Sequence, residues 1–252
     1  MTKTLMKVML LFFFTIAMIA QDKEMDPDAK KFYNEGNNLL KAGNFQGALG
    51  KYSEALKTSK NYRVYYQMGV TYKKLYKLNE AEAAFKECVK QNPDFPEGYN
   101  GLGGVYFSSN QFLQAIENYE KFEKMSNNKS HKNMAKDNIA KAYTSLGHES
   151  KTNGNYEKAA EYFRKAVEVS KFDKAYISLA EVYIDLAKYD EAIQAADNAL
   201  NNLDKMPKAA ALYYKGLAFK FKGQNEKAKE NFKAGLNDKA YGQLCKYELD
   251  TM

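Results

Sequence analysis

Tyr99-Asn100-Gly101-Leu102-Gly103-Gly104-Val105-Tyr106 places a large ring four residues before a glycine and another three after it. In five further stretches a large apolar residue stands four before a Gly or Ala, and most carry another three after it: Phe32 to Leu39 around Gly36, Tyr65 to Tyr72 around Gly69, Tyr143 to Ser150 around Gly147, Tyr176 to Tyr183 around Ala180, and Leu212 to Phe219 around Gly216. The small residues are separated by 33, 34, 44, 33 and 36 positions. Each stretch is followed by a second one in register, such as Phe45, Ala48, Tyr52 and Ala55, or Tyr156, Ala159, Phe163 and Ala166. Spacings of three and four put such residues on one face of a helix. Breakers stand between the halves, at Gly43-Asn44, Gly154-Asn155 and Gly223-Gln224. The unit is helix, tight turn, helix. Its small residues let neighbouring helices approach, and its Phe and Tyr rings fill the gaps between them.

This pattern resembles the tetratricopeptide repeat, whose aromatic, Leu-Gly, Tyr, Ala, Phe and Pro landmarks recur over about 34 residues. The resemblance runs from Ala29 to Leu236. It departs from the family in having no Trp and in showing the late proline only as Pro93. It implies an all-α fold, a right-handed alpha-alpha superhelix of about six helix-turn-helix repeats closed by a capping helix. Repeats one to three are expected over residues 29–129 and four to six over 140–237, with an insertion at 130–139 and a cap with its tail at 238–252. Asp26-Pro27 reads as an N-cap followed by proline in the first turn; Phe95-Pro96 and Met206-Pro207 mark further helix starts. The 44-residue step predicts a polar loop around residues 126–131, then a lengthened helix from about Lys132 to Lys151. The last helix is expected from Asp238 to Leu249, its polar residues covering the open end.

In tetratricopeptide proteins, the face of each first helix beside the buried one lines a concave groove that receives extended peptides or helices. Carried over, the groove candidates here are Tyr33, Asn37, Tyr66, Lys73, Asn100, Phe107, His148, Lys151, Tyr213 and Lys220. Tyrosine platforms with Asn and Lys between them suit a peptide backbone and acidic side chains; the tyrosines could equally pack between repeats. Family members that clamp a chaperone's C-terminal carboxylate use a Lys and an Asn four apart in the first repeat. Here Asn37 matches, but Tyr33 stands in the lysine's place, and Asn100 and Gly104 stand where the third repeat needs Lys and Arg. That clamp is absent.

Residues 1–20 read as a secretory signal peptide: Lys3 and Lys7, an apolar run from Val8 to Ala20, then polarity from Gln21. Residues 21–28 form a short polar segment. Cleavage near Ala20 would leave a periplasmic or secreted chain. Removing Lys3 and Lys7 takes the formal charge from +7 to +5, and the excess is scattered among glutamates without a nucleic-acid-binding stripe. Cys88 stands where sister repeats carry alanine, so it reads as a small buried filler rather than half of a disulfide with Cys245.

No metal-ligand spacing or nucleophile–base pattern accompanies the two histidines, His131 and His148. Gly101 to Gly104 lacks the third glycine and the preceding strand of a phosphate-cradling loop. The sequence thus predicts a non-enzymatic scaffold or adaptor with no cofactor and no metal, binding a protein or peptide of the cell envelope. The other readings are a structural subunit tethered to the membrane by an uncleaved N-terminus, a carbohydrate-binding solenoid, and self-assembly through repeat faces.

Overall fold

The computed structural model describes residues 25–252. The apolar N-terminal segment and the cleavage expected near Ala20 lie outside them. The described chain is an all-helical array of thirteen helices and contains no strand. Six helical hairpins follow one another: α1 (Pro27–Lys41) with α2 (Phe45–Thr58), α3 (Tyr62–Lys74) with α4 (Leu78–Gln91), and α5 (Pro96–Ser108) with α6 (Phe112–Met125). Then come α7 (Lys129–Thr152) with α8 (Tyr156–Val169), α9 (Asp173–Asp185) with α10 (Tyr189–Asn201), and α11 (Lys208–Phe221) with α12 (Asn225–Gly235). Helix α13 (Gly242–Asp250) closes the array.

Local chemistry sets where helices begin. Asp26 accepts from the Asp28 and Ala29 amides, with Pro27 in the first turn. Asn44, Asn61 and Asn155 do the same for α2, α3 and α8. The turn inside each hairpin needs one left-handed residue after the first helix. Glycine provides it at Gly43, Gly154 and Gly223; Tyr76, Asn110 and Ala187 adopt it elsewhere, at φ between 55° and 57°.

The core is built on one size exchange. A Cβ on Gly36 would lie 2.5 Å from the Tyr52 ring, one on Gly69 2.7 Å from Phe85, and one on Gly103 2.7 Å from Tyr119. Phe163 and Phe232 bear on Gly147 and Gly216 in the same way. In the fifth hairpin both members are small, and Ala180 and Ala196 are buried in one cluster. Gly101 admits the other side of Phe85, so α5 settles against the preceding hairpin. The glycine pair at 101 and 103 thus serves helix packing. Cys88 and Cys245 are buried free thiols, and burial pushes Cys88 up to about 12.

Apart from α5 and α7, neighbouring first helices touch one another, whereas no second helix packs on the next second helix to a comparable extent. That asymmetry curves the array with the first helices on its inner side. Helices α5 and α7 stand further apart than any other neighbouring pair of first helices, because α7 packs along α6 instead. The long helix starts at Lys129, three residues before the expected Lys132, since Asn128 accepts from the Ser130 and His131 amides. At the other end, Asp238 accepts from the Ala240 and Tyr241 amides in a turn. The last helix therefore begins at Gly242 rather than Asp238.

Candidate functional site

The inner face changes character along the array. Over the first three hairpins it is aromatic and amide-rich. Tyr33 is half-buried beside Tyr52, ring centroids 6.2 Å apart, and the Tyr52 hydroxyl donates to Asn37 Oδ1 at 2.8 Å. Asn37 is therefore oriented before any ligand arrives, with its amide nitrogen left to donate. Tyr66 sits between Phe85 at 5.8 Å and Phe95 at 5.3 Å, and burial raises its pKa. It belongs to the packing between repeats and to the groove wall together. Phe107 meets Phe112 edge-on at 5.5 Å.

Tyr66, Lys73 and Asn100 line one open groove of about 750 Å³, bounded also by Val70 and Ser108. Lys73 as a whole is exposed, but its ammonium end lies against Gly104. Partial withdrawal from water there lowers its pKa, with no nearby negative charge to offset the effect.

The second half of the inner face is charged but internally paired. Lys151 Nζ lies 2.7 Å from Glu181 Oε1, and Lys220 Nζ lies 2.7 Å from Glu248 Oε2. His148 is edge-on to Phe163 at 5.1 Å, with Ser178 Oγ 3.4 Å from its Nε2. Burial, then Lys174, lowers its pKa, which favours the neutral ring. Tyr213 joins Tyr214 at 5.3 Å and Tyr241 at 5.8 Å in an aromatic cluster. Burial raises the Tyr214 hydroxyl strongly and the Tyr241 hydroxyl in the same direction, and the Glu181 carboxylate adds to both.

All ten sequence candidates lie on first helices, but they fall into two groups. Tyr33, Asn37, Tyr66, Lys73, Asn100 and Phe107 belong to the first three hairpins; His148, Lys151, Tyr213 and Lys220 belong to the last three. Glu181, Tyr214, Tyr241 and Glu248 were missed. Glu181 was findable: it follows Ala180 as Asn37 follows Gly36 and His148 follows Gly147. Among the described residues, no group of His, Cys, Asp or Glu could hold a metal ion, and no helix is long and apolar enough to cross a membrane.

The family model for the tetratricopeptide repeat matches residues 62–95, 140–173 and 173–201. Among curated proteins, the chain is 30% identical over 104 residues to Hsp70-Hsp90 organizing protein 3 of Arabidopsis thaliana, covering 40% of this chain and 19% of that one. It is also 30% identical over 113 residues to human DnaJ homolog subfamily C member 7, covering 43% of this chain and 22% of that one. The chain thus spans about a fifth of the length of these relatives. Among solved structures, YrrB, described as a TPR protein with an unusual peptide-binding site, superposes with a TM-score of 0.51 at 17% identity, covering 79% of this chain and 97% of that one. Pseudomonas aeruginosa pilF gives 0.51 at 16% identity, covering 91% and 99%. At such identities these two show the fold alone. With the matched segments, the stacked hairpins and their glycine–ring pairs, the chain carries tetratricopeptide repeats within an all-helical array of the tetratricopeptide-repeat type.

Proposed function

We propose that the protein is an exported adaptor that holds a peptide or protein segment of the cell envelope against the inner face of its first three hairpins. The observation that carries this reading is the groove of about 750 Å³ walled by Tyr66, Lys73 and Asn100. It combines an aromatic platform, an amide and a cation, the chemistry that grips a backbone and an acidic side chain. The groove is held open by packed helices, so little ordering is required on binding. Export is proposed from Lys3, Lys7 and the apolar run to Ala20. An N-terminal mass beginning at Gln21 supports it; a retained segment favours the tethered subunit.

The chaperone-organising role in the relatives' names does not carry over. Where family members that clamp chaperone termini are charged, this chain has Tyr33, Asn100 and Gly104.

The test is site-specific photo-cross-linking in envelope fractions from a probe at Asn100, on the groove, and another at Lys57, exposed on the second helix of the first hairpin. An adduct from position 100 that competing unlabelled protein removes, without one from position 57, supports the groove. The same adduct from both positions, or from position 57 alone, overturns it.

A further inference from the structure

Lys73, Lys151 and Lys220 each stand four residues after the small residue of their first helix, at Gly69, Gly147 and Gly216. Each therefore leaves its helix at the same level and reaches toward the next one. Lys151 ends 2.7 Å from Glu181 and Lys220 ends 2.7 Å from Glu248. Lys73 has no carboxylate partner among the described residues.

One position accounts for the difference. Glu181 directly follows Ala180, the small residue of the helix after Lys151; the corresponding position after Gly103 is Gly104. The Lys73 ammonium occupies the space that a Cβ on Gly104 would enter, with the Tyr119 hydroxyl 3.8 Å from that point. The fold thus presents one geometry in two states: completed by a carboxylate in the fourth and fifth hairpins, and lacking one in the second and third.

We propose that a glutamate or aspartate side chain of the bound segment lies beside Lys73, in the role that Glu181 has beside Lys151. The inference rests on the groove reading above. A side chain is assigned rather than a chain terminus because the internal precedent is a glutamate side chain meeting a single ammonium. Asn100 and Tyr66 on the same groove hold the flanking backbone. A charge-assisted contact in a partly desolvated place favours the acidic segment by about fivefold to tenfold, and added salt weakens it.

Three decapeptide libraries of uncharged residues test this on the full chain. Two are N-acetylated and C-amidated, with the central position fixed as Glu or as Gln; the third lacks acidic residues and ends in a free carboxylate. The expected result is about fivefold greater retention of the Glu library than of the Gln library. That ratio should fall to about one in Lys73→Met. It should also fall in Gly104→Glu, which supplies an internal carboxylate and displaces only the end of a flexible side chain. Circular dichroism verifies that each variant is folded, and either folded variant suffices. Equal retention of both capped libraries, a preference that survives both substitutions, or preferred retention of the free-carboxylate library overturns the Lys73 assignment and leaves the groove standing. Retention of none of the libraries overturns both.

Discussion

Phe163 lies over Gly147 so closely that a methyl group there would stand 2.6 Å from its Cδ1. Real Cβ atoms do not approach a ring so near, so glycine and ring are a matched pair. Gly147→Ala should lower unfolding stability by about 1–3 kcal/mol through overpacking. The double change Gly147→Ala with Phe163→Leu should cost less than the sum of the two single changes, because the smaller side chain relieves the clash. Urea melts of the four proteins measure this. Strict additivity would show that the ring can move aside and that the pairing is incidental.

Ala187 holds φ at 55° in the fifth hairpin's turn, where three sister turns use glycine. Its backbone is committed to that shape: the Ala187 amide donates to Ile184 O at 2.9 Å and the Lys188 amide to Tyr183 O at 2.7 Å. A Cβ in the left-handed region costs about 1 kcal/mol or more. Ala187→Gly should therefore raise stability by about 0.5–1 kcal/mol, the gain being trimmed by glycine's greater freedom when unfolded. A lower melting temperature would show that the alanine is unstrained.

Asp173 is fully buried at the start of α9. Its Oδ2 accepts from the amides of Asp204, Lys205 and Met206 at 2.9, 2.6 and 2.7 Å, and its Oδ1 from Lys174 at 2.7 Å. Burial opposes ionisation, but these donors outweigh it and hold the carboxyl below its ordinary value. A lowered folded pKa means that the stabilisation is fully present above the ordinary carboxylate range. It is lost as pH falls through that range toward the folded value. Asp173→Asn, with one acceptor oxygen in place of two, should cost about 1–3 kcal/mol at neutral pH. The gap from the parent should narrow toward pH 3, near the ordinary carboxylate range. A gap that is constant with pH would assign the loss to packing.

The hairpins were legible because they depend on residues whose neighbours in space are fixed by short periods. Gly36 and Tyr52, or Gly147 and Phe163, recur at matching offsets, and the all-alanine exception at 180 and 196 recurs in both halves together. The Asp173 strap was not legible, since a carboxylate's acceptance from backbone amides 31 to 33 residues away leaves no mark on side-chain identity. The candidate groove was half legible. Register placed Lys73, Lys151 and Lys220 alike, but whether each cation is neutralised depends on the next helix, where Glu181 differs from Gly104. The start of α7 at Lys129 turned on the single Asn128 cap, which composition alone read as loop.

Lys220 and Lys57 separate an ion pair that matters from one that does not. Lys57 meets Glu54 at 2.7 Å, but their side chains are 71% and 45% exposed, so water and salt screen the pair. Lys220 meets Glu248 at the same distance, and the Glu248 side chain is only 11% exposed. It sits on α13, the helix that closes the end of the array. Lys220→Met leaves that carboxylate without its cation in a dry place, which should cost about 1–3 kcal/mol. Lys57→Met should change stability by less than about 0.5 kcal/mol. Hydrogen exchange should report the Lys220 loss first in residues 242–250, since terminal elements of a solenoid open before the rest. Adding Glu248→Leu to Lys220→Met should restore much of the stability, because the pair is then replaced by apolar contact. Equal effects of the two lysine substitutions would show that the cap is held by the apolar contacts of Cys245 and Leu249 with Phe232 rather than by charge.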